Sequence, residues 1–148
     1  MEPKIYNFNY SEDYRGKVFY NNEADLTKIV RTYSVENINL KTVRAWHGHK
    51  FEEKWVNVEV GKFLICIVKI DNFSKPNIKN KIYEFELSPS SGIIHIPAGF
   101  ANGAMNLTLE NRIRYYSTST INESSQDDFR FESQYWDPWS KFNPNLYE

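Results

Sequence analysis

Residues 41–61 read Lys41-Thr42-Val43-Arg44-Ala45-Trp46-His47-Gly48-His49-Lys50-Phe51-Glu52-Glu53-Lys54-Trp55-Val56-Asn57-Val58-Glu59-Val60-Gly61. From Lys54 onward the residues alternate. Lys54, Val56, Val58 and Val60 share one face of a strand, and Trp55, Asn57 and Glu59 share the other. The valines assign the first face to a core, which carries Lys54 inward with them. Just upstream, Val43, Ala45, His47 and His49 have a common parity, so the two imidazoles point where the small apolar residues point. The stretch therefore predicts strands that enclose an interior holding titratable groups.

Working outward, a fully apolar strand is expected over residues 63–70 and a polar loop over 71–77, followed by period-two apolar positions at Tyr83, Phe85 and Leu87. Pro89-Ser90-Ser91-Gly92 reads as a turn, Gly92 to Pro97 as a short strand, and residues 111–120 as another. The one helix candidate lies near Glu23 to Ile29. Short strands separated by turn signals predict an all-β jelly-roll barrel, with residues 1–148 forming a single domain. Composition agrees with this reading. Of the 148 residues 41% are hydrophobic and 16% aromatic, enough to build a core without disulfides or metal. Ten Phe, ten Tyr and four Trp against six Gly and six Pro favour pleated surfaces over disorder. A net charge of −1 says little about partners, but the lack of a basic stripe argues against a nucleic-acid partner. The lone cysteine, Cys66, forms no intrachain disulfide and reads as a small buried hydrophobe within Phe63 to Val68. No leader-like apolar segment opens the chain, and no run approaches the roughly 18 residues of a membrane span. The expected setting is the cytoplasm, away from any membrane.

Several residues have chemistry to offer. A neutral His47 inside the barrel could act as a general base, since an imidazole titrates near neutrality; alternatively it bonds the core. His95, flanked by isoleucines, reads more readily as a core residue. Ile113 and Tyr115 share a parity opposite to Arg112, Arg114 and Tyr116, which turns Tyr115 inward and the arginines outward. A buried phenol needs a polar partner, and Lys54 is a suitable one: its ammonium would lower the phenol's pKa and could stabilise an oxyanion. The alternatives are a hydroxyl at the barrel rim and a lysine reaching solvent. Arg44 and Arg15 are either diphosphate clamps or surface residues. The pairs Glu52-Glu53 and Asp127-Asp128 read as solvated turns. Tyr135-Trp136-Asp137-Pro138-Trp139 could stack a nucleobase or seal a barrel end or dimer contact, with residues 137–148 lying across the barrel as an irregular tail.

The His47-Gly48-His49 run resembles the first motif of the cupins, whose metal sites add a carboxylate five residues after the second histidine and another histidine from a P-x-G-x-x-H segment. Lys54 and Asn102 occupy those two positions here, so the expected pocket is metal-free and suited to proton chemistry. Read in order, further segments resemble the dTDP-4-dehydrorhamnose 3,5-epimerases. These are Glu12-Asp13-Tyr14-Arg15-Gly16, Arg44-Ala45-Trp46-His47, Lys54, Ile96-Pro97-Ala98-Gly99-Phe100-Ala101-Asn102-Gly103, Tyr115 thirteen residues after Asn102, and Trp136-Asp137-Pro138. The resemblance implies a cupin-type double-stranded β-helix that pairs as a homodimer, with an N-terminal strand bringing Arg15 to the partner's pocket. It also implies a cofactor-independent isomerase that inverts carbon 3 and/or carbon 5 of a nucleotide-linked 4-keto-6-deoxy sugar, with dTDP as the family's nucleotide. His47 would abstract a proton, Lys54 would stabilise the enolate and Tyr115 would return a proton, while Arg15, Arg44 and Asn102 would contact the substrate.

Some positions depart from that pattern. Asn102 replaces the family's histidine. The S-x-K-D segment whose aspartate orients the catalytic histidine has no counterpart among residues 139–148, leaving the partner of His47 open. His49 replaces a glutamine, and Arg44 to Lys50 is similar to the R-G-G-H-A-H-K of the sugar-nucleotide 3,4-ketoisomerases, in which paired histidines would shuttle protons between adjacent carbons. A ketoisomerase is thus a second reading, and a non-catalytic sugar-nucleotide-binding cupin a third.

Overall fold

The computed structural model describes residues 1–148. In chain order the strands are β1 (Lys4–Asn7), β2 (Asn9–Asp13), β3 (Gly16–Tyr20), β4 (Arg31–Val35), β5 (Val43–Gly48), β6 (Lys54–Val60), β7 (Phe63–Lys69), β8 (Ile82–Leu87), β9 (Gly92–Ile96), β10 (Phe100–Asn106) and β11 (Arg112–Ser117), followed by the short helix α1 (Ile121–Ser125) and β12 (Phe129–Arg130). One five-stranded sheet has the order β1-β9-β6-β11-β4 and a second the order β12-β5-β10-β7-β8, with β2 and β3 pairing apart from both. The pairings are antiparallel throughout and strands distant in sequence lie side by side, the jelly-roll arrangement expected from the alternation.

Period-two patterning divides the apolar residues into two cores. Val56 and Val58 of the first sheet meet Phe63, Ile65 and Ile67 of the second in the barrel interior, with Ile94, Ile96, Ile113 and Tyr115. On the second sheet's outer face, Trp46, Leu64, Cys66, Val68 and Met105 are covered by Trp136 and Trp139 of the tail. Val43 and Ala45, expected to face inward with His47, pack on this outer core instead while Arg44 lines the interior, because the β5 register against β10 shifts between Asn102 and Ala104 and breaks the alternation before His47. Strand β7 therefore buries both faces, which is why it is an unbroken apolar run rather than an alternating one. The tail lies close enough to require glycine at position 103, where a Cβ would come within 2.5 Å of the Ala45 Cβ and 3.0 Å of the Trp139 ring. The tail aromatics thus seal the barrel's outer face.

The helix expected near Glu23 to Ile29 is not formed. Asn21 Oδ1 accepts from the backbone N–H of Glu23 and Ala24, and Asp25 Oδ1 from that of Thr27, so side chains take donors that a helix would need and fold the segment into turns. The helix lies instead at Ile121–Ser125, after β11 ends at Ser117. Thr120 and Glu123 cap it reciprocally. No helix is long and apolar enough to cross a membrane.

Candidate active site

A cavity of about 370 Å³ opens between the two sheets, within the size range of small-molecule sites. The second sheet contributes His47 at the end of β5, His49 just beyond it, and Asn102 of β10; the first contributes Arg31 and Tyr33 of β4, Lys54 of β6 and Tyr115 of β11. Arg44 lies at one end, its Nε donating to Asn37 Oδ1 at 2.7 Å. Asn37 is held in turn by Asn106 and Asn111. The segment from Ile121 to Arg130 forms another part of the wall.

Parity places Lys54 inward, as the sequence predicts, and only 8% of it is exposed. Its partner, however, is not Tyr115. The Lys54 Nζ donates to the Tyr33 hydroxyl at 2.9 Å and lies 5.6 Å from the ring centroids of both Tyr33 and Tyr115, which stack at 5.3 Å. Burial, followed by the adjacent Tyr33, pushes the Tyr115 phenol up, the reverse of the lowered value expected from a lysine partner. Tyr115 therefore keeps its proton. His47 moves the other way: burial, then the Lys54 and Arg130 cations, pull its imidazole down to about 4, so it is neutral at physiological pH.

His49, 5% exposed, has a fixed tautomer. Its Nδ1 lies 2.5 Å from the carbonyl oxygen of Asp127, which can only accept, so Nδ1 carries the proton and Nε2 keeps the lone pair. The expectation that Glu52 and Asp127 lie in solvated turns is wrong for both. The Asp127 carboxylate accepts from the backbone N–H of Lys50, Phe51 and Glu52 and so folds the turn beneath the histidines. Glu52 is 2% exposed, and its Oε2 accepts from Ser117 Oγ at 2.6 Å and from Arg31 at 3.4 Å. Of the neighbouring acids, Asp128 is exposed as expected and pairs with Arg130, whereas Glu53 departs from the expectation: it is half-buried and meets His95 Nε2 at 2.7 Å. His95, packed at a tilt against Trp55, is a structural residue outside the cavity.

The structure brings together His47, His49, Lys54, Tyr115, Arg44 and Asn102. Arg15 is elsewhere, on the β2–β3 turn with its guanidinium on Asp13 at 2.6 Å, so it does not line the cavity of its own chain. Five contributors escaped the sequence reading: Arg31, Tyr33, Glu52, Asp127 and Arg130. Arg31, Tyr33 and Val35 alternate at period two, a signal that was available for the first two.

No family model matches the sequence, and no curated protein does. Solved structures do. A dTDP-4-dehydrorhamnose 3,5-epimerase from Bacillus anthracis, with TDP and PPi bound, superposes with a TM-score of 0.75 at 19% identity over 93% of this chain and 85% of that one. A 3,4-ketoisomerase from Helicobacter canadensis gives a TM-score of 0.68 at 19% identity over 91% and 95%. The fold is the cupin jelly roll of these isomerases. A mutant of the 3,4-ketoisomerase from Thermoanaerobacterium thermosaccharolyticum, in complex with TDP-4-keto-6-deoxyglucose, matches at a TM-score of 0.63 and 18% identity over 99% and 97%. Proteins of two different activities share this fold, so the likeness shows the fold and leaves function to be argued from the site's own geometry.

Proposed function

We propose that this chain is a cofactor-independent isomerase of nucleotide-linked 4-keto-6-deoxy sugars, inverting carbon 3 and/or carbon 5 by removal and return of a proton. The observation that supports it is the division of the cavity between two walls. The imidazoles come from one sheet, and the ammonium and the protonated phenol come from the other. A sugar carbon held between them would lose its proton on one face and regain one on the opposite face, which inverts it. The ketone already acidifies the neighbouring C–H bonds, so neutral His47 would take the proton, Lys54 would stabilise the enolate oxygen and Tyr115 would protonate from the far side. Arg44 and Arg31 line the cavity and would meet a diphosphate, with Asn102 as a further substrate contact. A TDP-linked sugar suits this set best, a homodimer would bring the β2–β3 hairpin and Arg15 to a second cavity, and a cytoplasmic setting fits a nucleotide sugar.

One observation favours a second reading. His47 and His49 stand on the same wall, and the fixed tautomer of His49 leaves Nε2 ready to accept. That arrangement suits a 3,4-ketoisomerase, in which a proton moves along a single face between adjacent carbons. Proton NMR with dTDP-4-keto-6-deoxyglucose in deuterium oxide separates the two. Deuterium at carbon 3 or 5 with inverted configuration is the expected result, and a ketone moved to carbon 3 would replace it with the ketoisomerase. Binding without exchange on several keto sugars would overturn both in favour of a binding module.

A further inference from the structure

Two buried side-chain polar atoms have no hydrogen-bond partner: Nε2 of His49 and Oε1 of Glu52. They belong to neighbouring residues, since Glu52 Oε1 lies 3.6 Å from His49 Nδ1. A buried carboxylate is normally surrounded by donors, because each unpaired lone pair loses its hydration without return. Here the donors are all on one side. Ser117 Oγ at 2.6 Å from β11, Arg31 at 3.4 Å from β4 and Lys54 Nζ at 3.9 Å from β6 gather at Oε2, whereas Oε1 is turned to the imidazole. The other nearby acid, Asp127, has both carboxylate oxygens occupied by backbone N–H groups, and its carbonyl fixes the His49 tautomer.

We propose that Glu52 is the positioning residue of His49: its carboxylate, held from behind by Ser117 and Arg31, raises the proton affinity of that imidazole and makes it a second proton acceptor in the cavity. The two imidazoles then differ in kind. His47 faces the cations Lys54 and Arg130, whereas His49 has a carboxylate at 3.6 Å. When Nε2 accepts a proton, the positive charge spreads over the ring and is stabilised by Oε1, and it would be destabilised if Glu52 were neutral. Two acceptors of different strength suit chemistry at two carbons, whether these are two epimerised centres or the adjacent carbons of a ketone shift. In this respect alone the inference rests on the isomerase reading.

The test needs no substrate. The chain has three histidines, so their imidazole signals can be followed singly by NMR as pH is varied. In Glu52→Gln, which keeps the shape and removes the charge, the His49 midpoint should fall by about one pH unit or more, while that of His95 stays in place. An unmoved His49 midpoint overturns the proposal. If the glutamine variant does not fold, Glu52→Asp draws the carboxylate back by one methylene and should give a smaller downward shift; no shift there overturns it equally. With an active sugar nucleotide, the acid limb of the exchange rate should move to lower pH in Glu52→Gln while KM changes less than about twofold, a pattern that simple loosening of the fold would not produce. A shifted His49 midpoint in a protein that exchanges no sugar would uphold Glu52 and reject the isomerase.

Discussion

The two sides of the second sheet are built from the same strands and treat their polar atoms in opposite ways. Under the tail each buried indole N–H has an acceptor: Trp46 and Trp139 donate to the Ser133 carbonyl, both at 3.1 Å, and Trp136 donates to that of Asn77 at 3.0 Å. On the cavity side, one residue along β5 from Trp46, stand His47 and then His49 with an unpartnered Nε2, and behind it Glu52 with an unpartnered oxygen. Strand alternation thus gives a single sheet one face that is finished and another that is left open. Unpaired buried groups cost stability, so the open face reads as a place kept ready for a ligand or a proton.

The contrast can be broken from either side. Trp139→Ala removes a fully buried ring from the finished face and should lower unfolding free energy by about 3–5 kcal/mol in denaturant titrations, while the folded fraction keeps near-normal turnover. A turnover loss out of proportion to the folded fraction would show that the tail also shapes the cavity. Lys54→Ala should do the converse, lowering turnover by about 10²–10³-fold, as loss of a single oxyanion donor does, with a smaller change in the melting midpoint than Trp139→Ala. Near-normal turnover in that variant would remove Lys54 from the mechanism. Tyr115→Phe sharpens the comparison between the two walls. Its inverted product should fall by about 10²-fold while washout of sugar protons into deuterium oxide persists, since the base lies on the opposite sheet. Equal loss of exchange and inversion would put both steps on Tyr115.

Parity made the two faces legible on β6 and β7 but not on β5, where Val43 and Ala45 turn outward and Arg44 inward across a register shift. Alternation from Lys54 to Val60 and the apolar run at 63–70 gave the strands and both burial directions, and the ordered motifs gave the fold. What escaped depends on contacts across the barrel. Glu52 and Glu53 look alike in a chain of charged residues, yet consecutive side chains diverge, one into Arg31 and Ser117 and the other onto His95. Asp127 sits in the polar stretch after α1, and its role becomes visible only once three backbone N–H groups from residues 50–52 are folded against it. Tyr33 takes the Lys54 ammonium because it is the cross-strand neighbour of Tyr115 on β4, a pairing that no local spacing reveals. The position of the helix has a local reason: the Thr120-x-x-Glu123 capping pair starts one at Ile121, while Asn21 and Asp25 are positioned to prevent a helix at 23–29.

The smallest expected effect concerns His47, where the open face bears on stability as well as on chemistry. Its imidazole titrates near 6.5 in an unfolded chain and at about 4 in the fold, so between those values the unfolded state holds a proton that the folded state lacks. The neutral ring's contribution to stability is therefore complete above about pH 6.5 and is lost progressively as pH falls toward 4. His47→Gln removes this linkage while leaving a polar side chain in place. Denaturant unfolding of both proteins at pH 7 and pH 5 should show wild type losing more stability over the interval than the variant, by on the order of 1 kcal/mol. Equal losses would mean that His47 takes up its proton in the fold as readily as in the open chain, and neither its burial nor the cations facing it would then have a hold on the base.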